Sequence, residues 1–511
     1  MAGFTPSETI LAAGRITVGS LFSARAALNP DHKALIDGER SLTYRELDRR
    51  TDRLAAAFAA QGLRQGDRVA ILSRNCLEYL EVILAAAKSG LIVAALNWRL
   101  GDRELAHCIN LVEPELIISQ EEFAPALQRL DISVPRHWTL GAEYQARIDA
   151  SPDTPPPPCT DPEAGLIILY TSGTTGLPKG ALISHRAMIA RGLILAGDLK
   201  VPFGDNFIAW APLYHMASTD QSLGCLMRSG TVHIVDGFLP DQLIDIIEAV
   251  PMRLFVLMPG TVGPFADAFM ARGARAKGVG MCGAMADLVP REHIAAASRC
   301  LDAPYYNSFG STETGLPPAS NNVIPIGVAP TSLPKRQNSI CEIRLVDPDD
   351  NEVPDGTPGE VAFRGPTLFS GYWNADATNA KDFRNGWFHM GDVMRRNPDG
   401  TLDYVDRVKF MIKSGGENIY PAEIEQVLLG DPRVTEAVVV RQADAKWGEV
   451  PVAFVVRNDP ALTAEALQGR CERDLSGFKR PKAIIFIDNA DLPRSTTGKV
   501  QRHALESRLK T

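Results

Sequence analysis

The feature that most constrains this chain is an alternation of short apolar runs with amphipathic ones in its first 150 residues. Arg68–Leu72 reads as a buried strand, Glu78–Lys88 as a helix, and Leu91–Leu96 as a second apolar run of strand length. Upstream, Thr43-Tyr-Arg-Glu46 fits a capping box, with Leu47, Leu54 and Phe58 on one helical face and Gly62 as a stop. Strand, helix, strand with short connections predicts right-handed crossovers and a largely parallel sheet in an α/β fold. Pro155–Pro158 reads as a rigid surface loop feeding the next strand, Gly165–Tyr170; an interdomain linker is the alternative.

Near residues 404–413 the pattern changes. Pro421 and Gly430 bracket a short helix, Val434–Arg441 and Val450–Val456 read as strands, Ala464–Leu475 as a helix and Ala483–Ile487 as a strand. This predicts a large α/β body over residues 1–408 and a small α+β unit over 409–511. At 511 residues the chain exceeds one small domain, since roughly 150 residues per domain suggests about three structural units. Lys and Arg number 53 and Asp and Glu 61, a net charge of −8, which argues against binding a nucleic acid polymer through bulk positive field. With 45% apolar and 22% charged residues, fibrous and disordered classes are excluded. The eight cysteines form no CxxC pair or Cys/His ligand spacing, so neither a zinc site nor a disulfide framework is expected. No signal peptide, membrane span or address tag is evident, which favours a cytoplasmic setting.

Chemistry concentrates first in Tyr170-Thr-Ser-Gly-Thr-Thr-Gly-Leu-Pro-Lys-Gly180, directly after a buried strand. Gly173 and Gly176 let the backbone approach a ligand, Thr171, Ser172, Thr174 and Thr175 bring hydroxyls, and Lys179 brings a point charge, a set suited to wrapping phosphate oxygens. It is not a Walker loop, because Pro178 precedes Lys179 and Gly180 follows it. A second pattern, Gly278-Val-Gly280-Met-Cys-Gly283 with Asp302 further on, satisfies the dinucleotide fingerprint. The segment before it looks helical where the fingerprint needs a strand, so a nicotinamide oxidoreductase is carried only as a rival.

Tyr170–Gly180 resembles the phosphate-binding signature of the adenylate-forming superfamily, which comprises acyl- and aryl-CoA synthetases, peptide-synthetase adenylation domains and luciferases. Further segments resemble the family in order: Ala211–His215, Asn307–Glu313, Trp387–Asp392, Tyr404–Arg407, Lys413–Asn418 and Leu492–Lys499. The likeness runs from about residue 20 to 505. It implies an ATP-dependent carboxylic acid:CoA ligase that forms an acyl-adenylate and pyrophosphate, then a thioester and AMP, with Mg²⁺ accompanying ATP.

The resemblance also implies residue roles. Glu313 is the Mg²⁺ carboxylate, with Thr171 beside it; Thr312, Asn307 and Ser308 lie near the adenylate; Asp392 takes the ribose hydroxyls and Arg407 the ribose–phosphate region. Lys499 neutralises the charge of the adenylation step. His215 is a gate beside the acyl pocket, to which Met216, Gly283, Ala284 and Met285 also belong. Lys409 is the pivot about which the small unit rotates, Ser414, Gly415 and Gly416 line the CoA thiol's path, and Trp447, Phe478 and Arg480 suit contact with the CoA adenine. Surface charge and strand-end packing are the plainer alternatives for the last three.

The chain departs from the family pattern at Phe410, where many relatives place an acid, at Cys282–Met285 and along Pro325–Ser339, with Lys335 and Arg336. Met216 stands where α-amino-acid enzymes place an aspartate, so an α-amino acid is not expected. Met216, Met258, Met281 and Met285 favour an aryl or medium-sized apolar acid, because thioethers adapt to ring edges, with ordinary core packing as the alternative reading. Asp220 is read as a helix-start cap or as a partner for a polar substrate. A free-standing enzyme that loads an acyl carrier protein is the near alternative, and a body of this size is compatible with a homodimer.

Overall fold

Thr43 starts the first long helix as its residue type dictates. Its Oγ1 accepts from Glu46 N–H at 3.2 Å while Glu46 Oε2 accepts from Thr43 N–H at 2.8 Å, so two otherwise unpaired donors are satisfied reciprocally. The helix Tyr44–Ala60 then buries Leu47, Leu54 and Phe58 on one face. The structure is a computed structural model that describes residues 6–171, 177–415, 417–494 and 500–509.

The alternation after residue 60 builds a six-stranded sheet in the order His137–Thr139, Leu116–Ser119, Arg68–Leu72, Ile92–Ala95, Gly165–Thr171, Lys179–Ser184. Neighbours are parallel except the last pair, which is antiparallel. The helix between the first two strands in the chain, Leu77–Ser89, is buried all round, and Gly90 ends it in a left-handed conformation. Two four-stranded sheets accompany this one. The first runs Arg40–Thr43, Lys33–Asp37, Thr231–Ile234, Asn206–Ala209; the second runs Met252–Phe255, Val279–Cys282, Tyr305–Tyr306, Val323–Ile324. The prolines at 155–158 lie in irregular chain whose flanks belong to the same unit, so they form a loop and not an interdomain linker.

Contacts divide the chain into two units: residues up to Glu342 together with Arg364–Arg384, and Ile343–Phe363 together with Asn385 onward. The second holds a sheet in the order Glu342–Val346, Pro358–Arg364, Phe388–Arg396, Leu402–Arg407. It also holds a five-stranded sheet centred on Val434–Asp444 and Gly448–Arg457, with Ala483–Phe486 added in parallel. Pro421–Leu429 and Ala464–Asp474 supply Ile424, Leu428, Leu467 and Cys471 to its core against Ile412, Val439 and Val455. Compactness therefore groups residues 343–363 and 385–408 with the C-terminal part, a different division from one at 408/409.

The glycine pattern at 278–283 sits on a strand, Val279–Cys282, which leads into a turn and the short 3-10 segment Ala286–Leu288. A dinucleotide fingerprint needs its glycines after a strand and at the opening of a helix. Here Gly283 has another cause: its φ is +92°, and a Cβ there would stand 2.3 Å from the Tyr305 ring. Among the described residues no helix is long and apolar enough to cross a membrane.

Candidate functional site

The hairpin at the edge of the six-stranded sheet places Thr171 directly opposite Lys179. Ser172, Gly173, Thr174, Thr175 and Gly176, which complete the loop, lie outside the described residues. Lys179 is half-buried; its Nζ stands 3.7 Å from the centroid of the Tyr372 ring and 4.0 Å from Asp382 Oδ2. Burial pushes its pKa below that of an ordinary lysine, and the Asp382 and Glu313 carboxylates work against that shift.

Tyr372 is the residue that the sequence motifs do not announce. The segment 370–373 runs along the strand Lys179–Ser184: Leu182 N–H donates to Gly371 O at 3.0 Å, Ser370 N–H to Leu182 O at 2.7 Å, and Trp373 N–H to Gly180 O at 2.8 Å. From that edge Tyr372 Oη donates to Glu313 Oε1 at 2.6 Å, while Phe369 N–H donates to Glu313 O at 2.8 Å. Lys179 and Glu313 are thus linked through one phenol, and Thr171 is the register partner of Lys179. Glu313 is half-buried and has a hard oxygen donor. A single carboxylate suits Mg²⁺, which takes few protein ligands and completes its shell with phosphates and water.

Thr312 is tied from beneath. Arg191, on the helix His185–Gly197, donates from Nη2 to Thr312 O at 2.9 Å, from Nε to Thr367 O at 3.2 Å and from Nη1 to Asp220 Oδ2 at 3.0 Å. Asp220 is therefore neither a helix cap nor exposed to solvent: it lies buried in the middle of the helix Met216–Leu226, and burial raises its carboxyl pKa against the pull of Arg191. The cap of that helix is His215, whose Nδ1 accepts from Ala217 N–H at 3.2 Å. Asn75, buried, orients the preceding segment: its Oδ1 accepts from Leu213 N–H at 2.8 Å and its Nδ2 donates to Ala211 O at 2.9 Å.

The Cys282–Met285 turn meets the strand end at 305–308. Cys282 is paired in register with Tyr305, Tyr305 Oη donates to Ala284 O at 3.0 Å, and Met285 N–H donates to Ser308 Oγ at 3.0 Å. Met285 adopts a left-handed backbone, φ +46°. Asn307 is fully buried and its side chain is committed to the protein: Nδ2 donates to Pro334 O at 3.1 Å and Oδ1 accepts from Lys335 Nζ at 2.7 Å. Lys335, also fully buried, forms an ion pair with Asp287 Oδ2 at 2.5 Å. The unusual lysine of the 325–339 stretch thus joins the segment after the Cys282–Met285 turn to the strand end at Asn307. Gly283, Ala284, Met285, Asn307 and Ser308 lie together, and His215 and Met216 connect to Thr312 through Asp220 and Arg191.

In the second unit Asp392 and Arg407 are register partners on adjacent strands, with Arg407 Nε donating to the buried Asp392 Oδ1 at 2.9 Å. Asp392 lies within the strand Phe388–Arg396. Lys409 O accepts from Arg441 Nη2, and the Phe410 ring lies between Lys409 Nζ at 4.8 Å and Arg502 Cζ at 4.7 Å. An aromatic ring at 410 therefore meets cations through its faces where an acid would pair with them directly. Ser414 pairs with Gly448, and Gly415 N–H donates to Trp447 O at 2.8 Å. Gly415 packs so closely on the Trp447 ring that a Cβ would stand 2.7 Å away. Trp447 and Phe478 are exposed at 48% and 42%, with Lys446 Nζ 4.6 Å from the Trp447 ring centroid and Lys479 Nζ 5.7 Å from that of Phe478. Arg480, by contrast, donates to Leu475 O at 3.3 Å and Glu472 O at 3.0 Å, closing the end of the preceding helix. Gly416 and Lys499 lie outside the described residues.

Residues 22–373 match the AMP-binding enzyme family, and residues 423–499 match the AMP-binding enzyme C-terminal domain. The chain is 34% identical to an indoleacetate–CoA ligase of Aromatoleum aromaticum over 502 residues, 93% of this chain and 95% of that one. It is 32% identical to a feruloyl-CoA synthase of an Amycolatopsis species over 499 residues, 96% of this chain and 99% of that one. Among solved structures, the o-succinylbenzoate CoA synthetase of Bacillus subtilis, in complex with its acyl-adenylate intermediate, matches with a TM-score of 0.81 at 25% identity. That match covers 95% of this chain and 97% of that one.

Proposed function

The chain belongs to the AMP-binding enzyme family and is an AMP-forming acid–thiol ligase using ATP and CoA, and we propose that its acid is of aryl type. The observation that carries the choice of acid is the pair of relatives named for ferulate and indoleacetate, together with Met216 and Met285 in the acyl-side segments. A nicotinamide oxidoreductase is set aside, because the glycines on which it rested belong to a strand and a ring contact.

In this proposal the acid's carboxylate attacks the α-phosphorus of ATP and pyrophosphate leaves; the CoA thiolate then attacks the acyl carbonyl and AMP leaves. Lys179 and the Thr171–Gly176 loop bind phosphate oxygens, and Tyr372 fixes the carboxylate of Glu313. Glu313 with Thr171 would hold Mg²⁺, which supplies neutralisation of phosphate charge when bound. Lys499 stabilises the negative charge that grows on the pentavalent phosphorus. Asp392, oriented by Arg407, receives the ribose hydroxyls. Thr312, Asn307 and Ser308 border the nucleotide, Asn307 through its main chain, and His215, Met216 and Gly283–Met285 border the acid. Lys409 is the pivot between the two steps, which makes 1–408 and 409–511 the functional division. Ser414, Gly415 and Gly416 serve the thiol's path, and Trp447 and Phe478 offer faces to the CoA adenine beside Arg480.

No side-chain nucleophile is required, since positioning and charge neutralisation account for the rate. A cytoplasmic setting suits eight unpaired cysteines, and a homodimer remains part of the proposal. The test is pyrophosphate release with Mg·ATP across aryl, short, medium and long-chain acids, with and without CoA. Sustained CoA-dependent turnover with an aryl acid is the expected result. A single CoA-independent burst points to carrier-protein loading, and turnover confined to long-chain acids overturns the aryl assignment.

A further inference from the structure

Arg191 belongs to none of the motifs, yet its side chain is 2% exposed and is shared among three separate segments. It donates to the carbonyl of Thr312, to the carbonyl of Thr367 and to the carboxylate of Asp220. Two further features make the arrangement strict. Gly315 has φ +75°, and a Cβ there would stand 2.9–3.0 Å from Arg191 Cγ, Cδ and Nε, so the chain just after Glu313 is folded onto the arginine stem. Among the described residues Asp220 Oδ1 is buried without a hydrogen-bond partner, and Arg191 is the side chain that compensates this carboxylate. A planar fork with five donors can serve three acceptors in fixed directions; a lysine ammonium cannot hold the same three with that geometry.

We propose that Arg191 is a positioning residue for adenylation: held by Asp220, it fixes the carbonyl of Thr312 and so presents the Thr312–Glu313 turn to the nucleotide. The same pair makes the Met216–Leu226 helix, which begins at His215, part of the support of that turn. Seating of the acid side and aim of the Mg²⁺ carboxylate are thereby mechanically joined. This rests on the roles given above to Thr312 and Glu313.

A misplacement of a catalytic group by about 1 Å lowers rates on the order of 100-fold. Arg191→Met alone strands a buried acid and tests folding more than function. The informative variant is Arg191→Met with Asp220→Leu, which removes both charges and keeps the volume, beside Arg191→Lys as the conservative change. Each is compared with the parent protein in two assays: acid-dependent pyrophosphate release against Mg²⁺ and ATP, and the CoA-dependent conversion of acyl-adenylate supplied ready-made.

We expect the double variant to keep a thermal midpoint near the parent's and to lose adenylation kcat by about 10- to 100-fold. Its Mg²⁺ requirement should rise, while its thioester step falls only a few-fold, and Arg191→Lys should recover part of the loss. If the double variant regains adenylation together with stability, or if both half-reactions fall alike, Arg191 is merely structural and the proposal is overturned. A parent protein that releases no pyrophosphate with any acid overturns the ligase assignment itself, and Arg191 then has no nucleotide turn to aim; that control is read before any variant.

Discussion

In the larger unit, Lys179, Glu313 and Tyr372 come from three distant stretches of chain, with Tyr372 and Glu313 separated by 59 residues. In the smaller unit, Asp392 and Arg407 face each other across one hairpin, 15 residues apart. The first assembly exists only after the 370–373 segment has docked along the Lys179–Ser184 strand; the second follows from the register of two neighbouring strands. Losing a member should therefore have different kinetic consequences. In the proposed function the large-unit network fixes the carboxylate that would hold Mg²⁺ against the developing negative charge, whereas the hairpin pair would shape a ribose-binding surface that the substrate meets equally in ground and transition states.

Lys499→Ala is expected to have the largest effect, a loss of roughly 100- to 1,000-fold in acid-dependent pyrophosphate release, with the thioester step from supplied acyl-adenylate largely kept. Equal loss of both half-reactions would remove the division of labour between them. Tyr372→Phe deletes one hydrogen bond to a carboxylate, about 1.5–3 kcal/mol, which corresponds to a fall of about 10- to 100-fold in adenylation kcat with ATP KM little changed. Arg407→Ala, at a partly exposed guanidinium, should instead raise ATP KM by about 3- to 10-fold with kcat nearly intact. The comparison breaks if these two variants exchange signatures.

The smallest effect concerns pH and the large unit. His185 is fully buried, its Nδ1 accepts from Val18 N–H at 3.2 Å, and burial lowers its pKa to about 4. The unfolded chain binds this proton near pH ~6.5, so it takes up more protons than the folded chain as pH falls between those values, and stability declines in that window. Calorimetry at pH 7 and pH 5 should show a loss on the order of 1–2 kcal/mol from this group. His185→Gln should flatten the slope, and an unchanged slope would assign the acid sensitivity elsewhere.

What the sequence made legible has a physical pattern. The Thr43 capping box, the strand Arg68–Leu72 and the helix Pro421–Leu429 are all set by residues within a few positions of one another, and all are present. The Thr171 and Lys179 anchors are likewise legible, because the loop joins adjacent strands. Tyr372, Arg191 and Asn75 carry no local signature, since their partners lie 59, 121 and 138 residues away. Asp220 was legible as a polar residue near a helix start, but its burial against Arg191 depends on how two helices pack. The glycines at 278–283 mislead for the same reason: a pattern that elsewhere opens a helix is satisfied here by the Tyr305 ring.

Lys335 has a consequence for how such a chain can change its diet. Through Asp287 and Asn307 it fastens the 282–287 turn, which in the proposed function borders the acid, to the 305–308 strand end, which there borders the nucleotide, and Met285 N–H to Ser308 Oγ makes a second tie between them. On that reading, enlarging the acid side by moving the turn also displaces the groups proposed to border the nucleotide. New acids should be reached more readily by trimming side chains such as Met285 than by shifting backbone, and selection for a bulkier acid will carry a penalty in ATP affinity wherever the turn itself has moved.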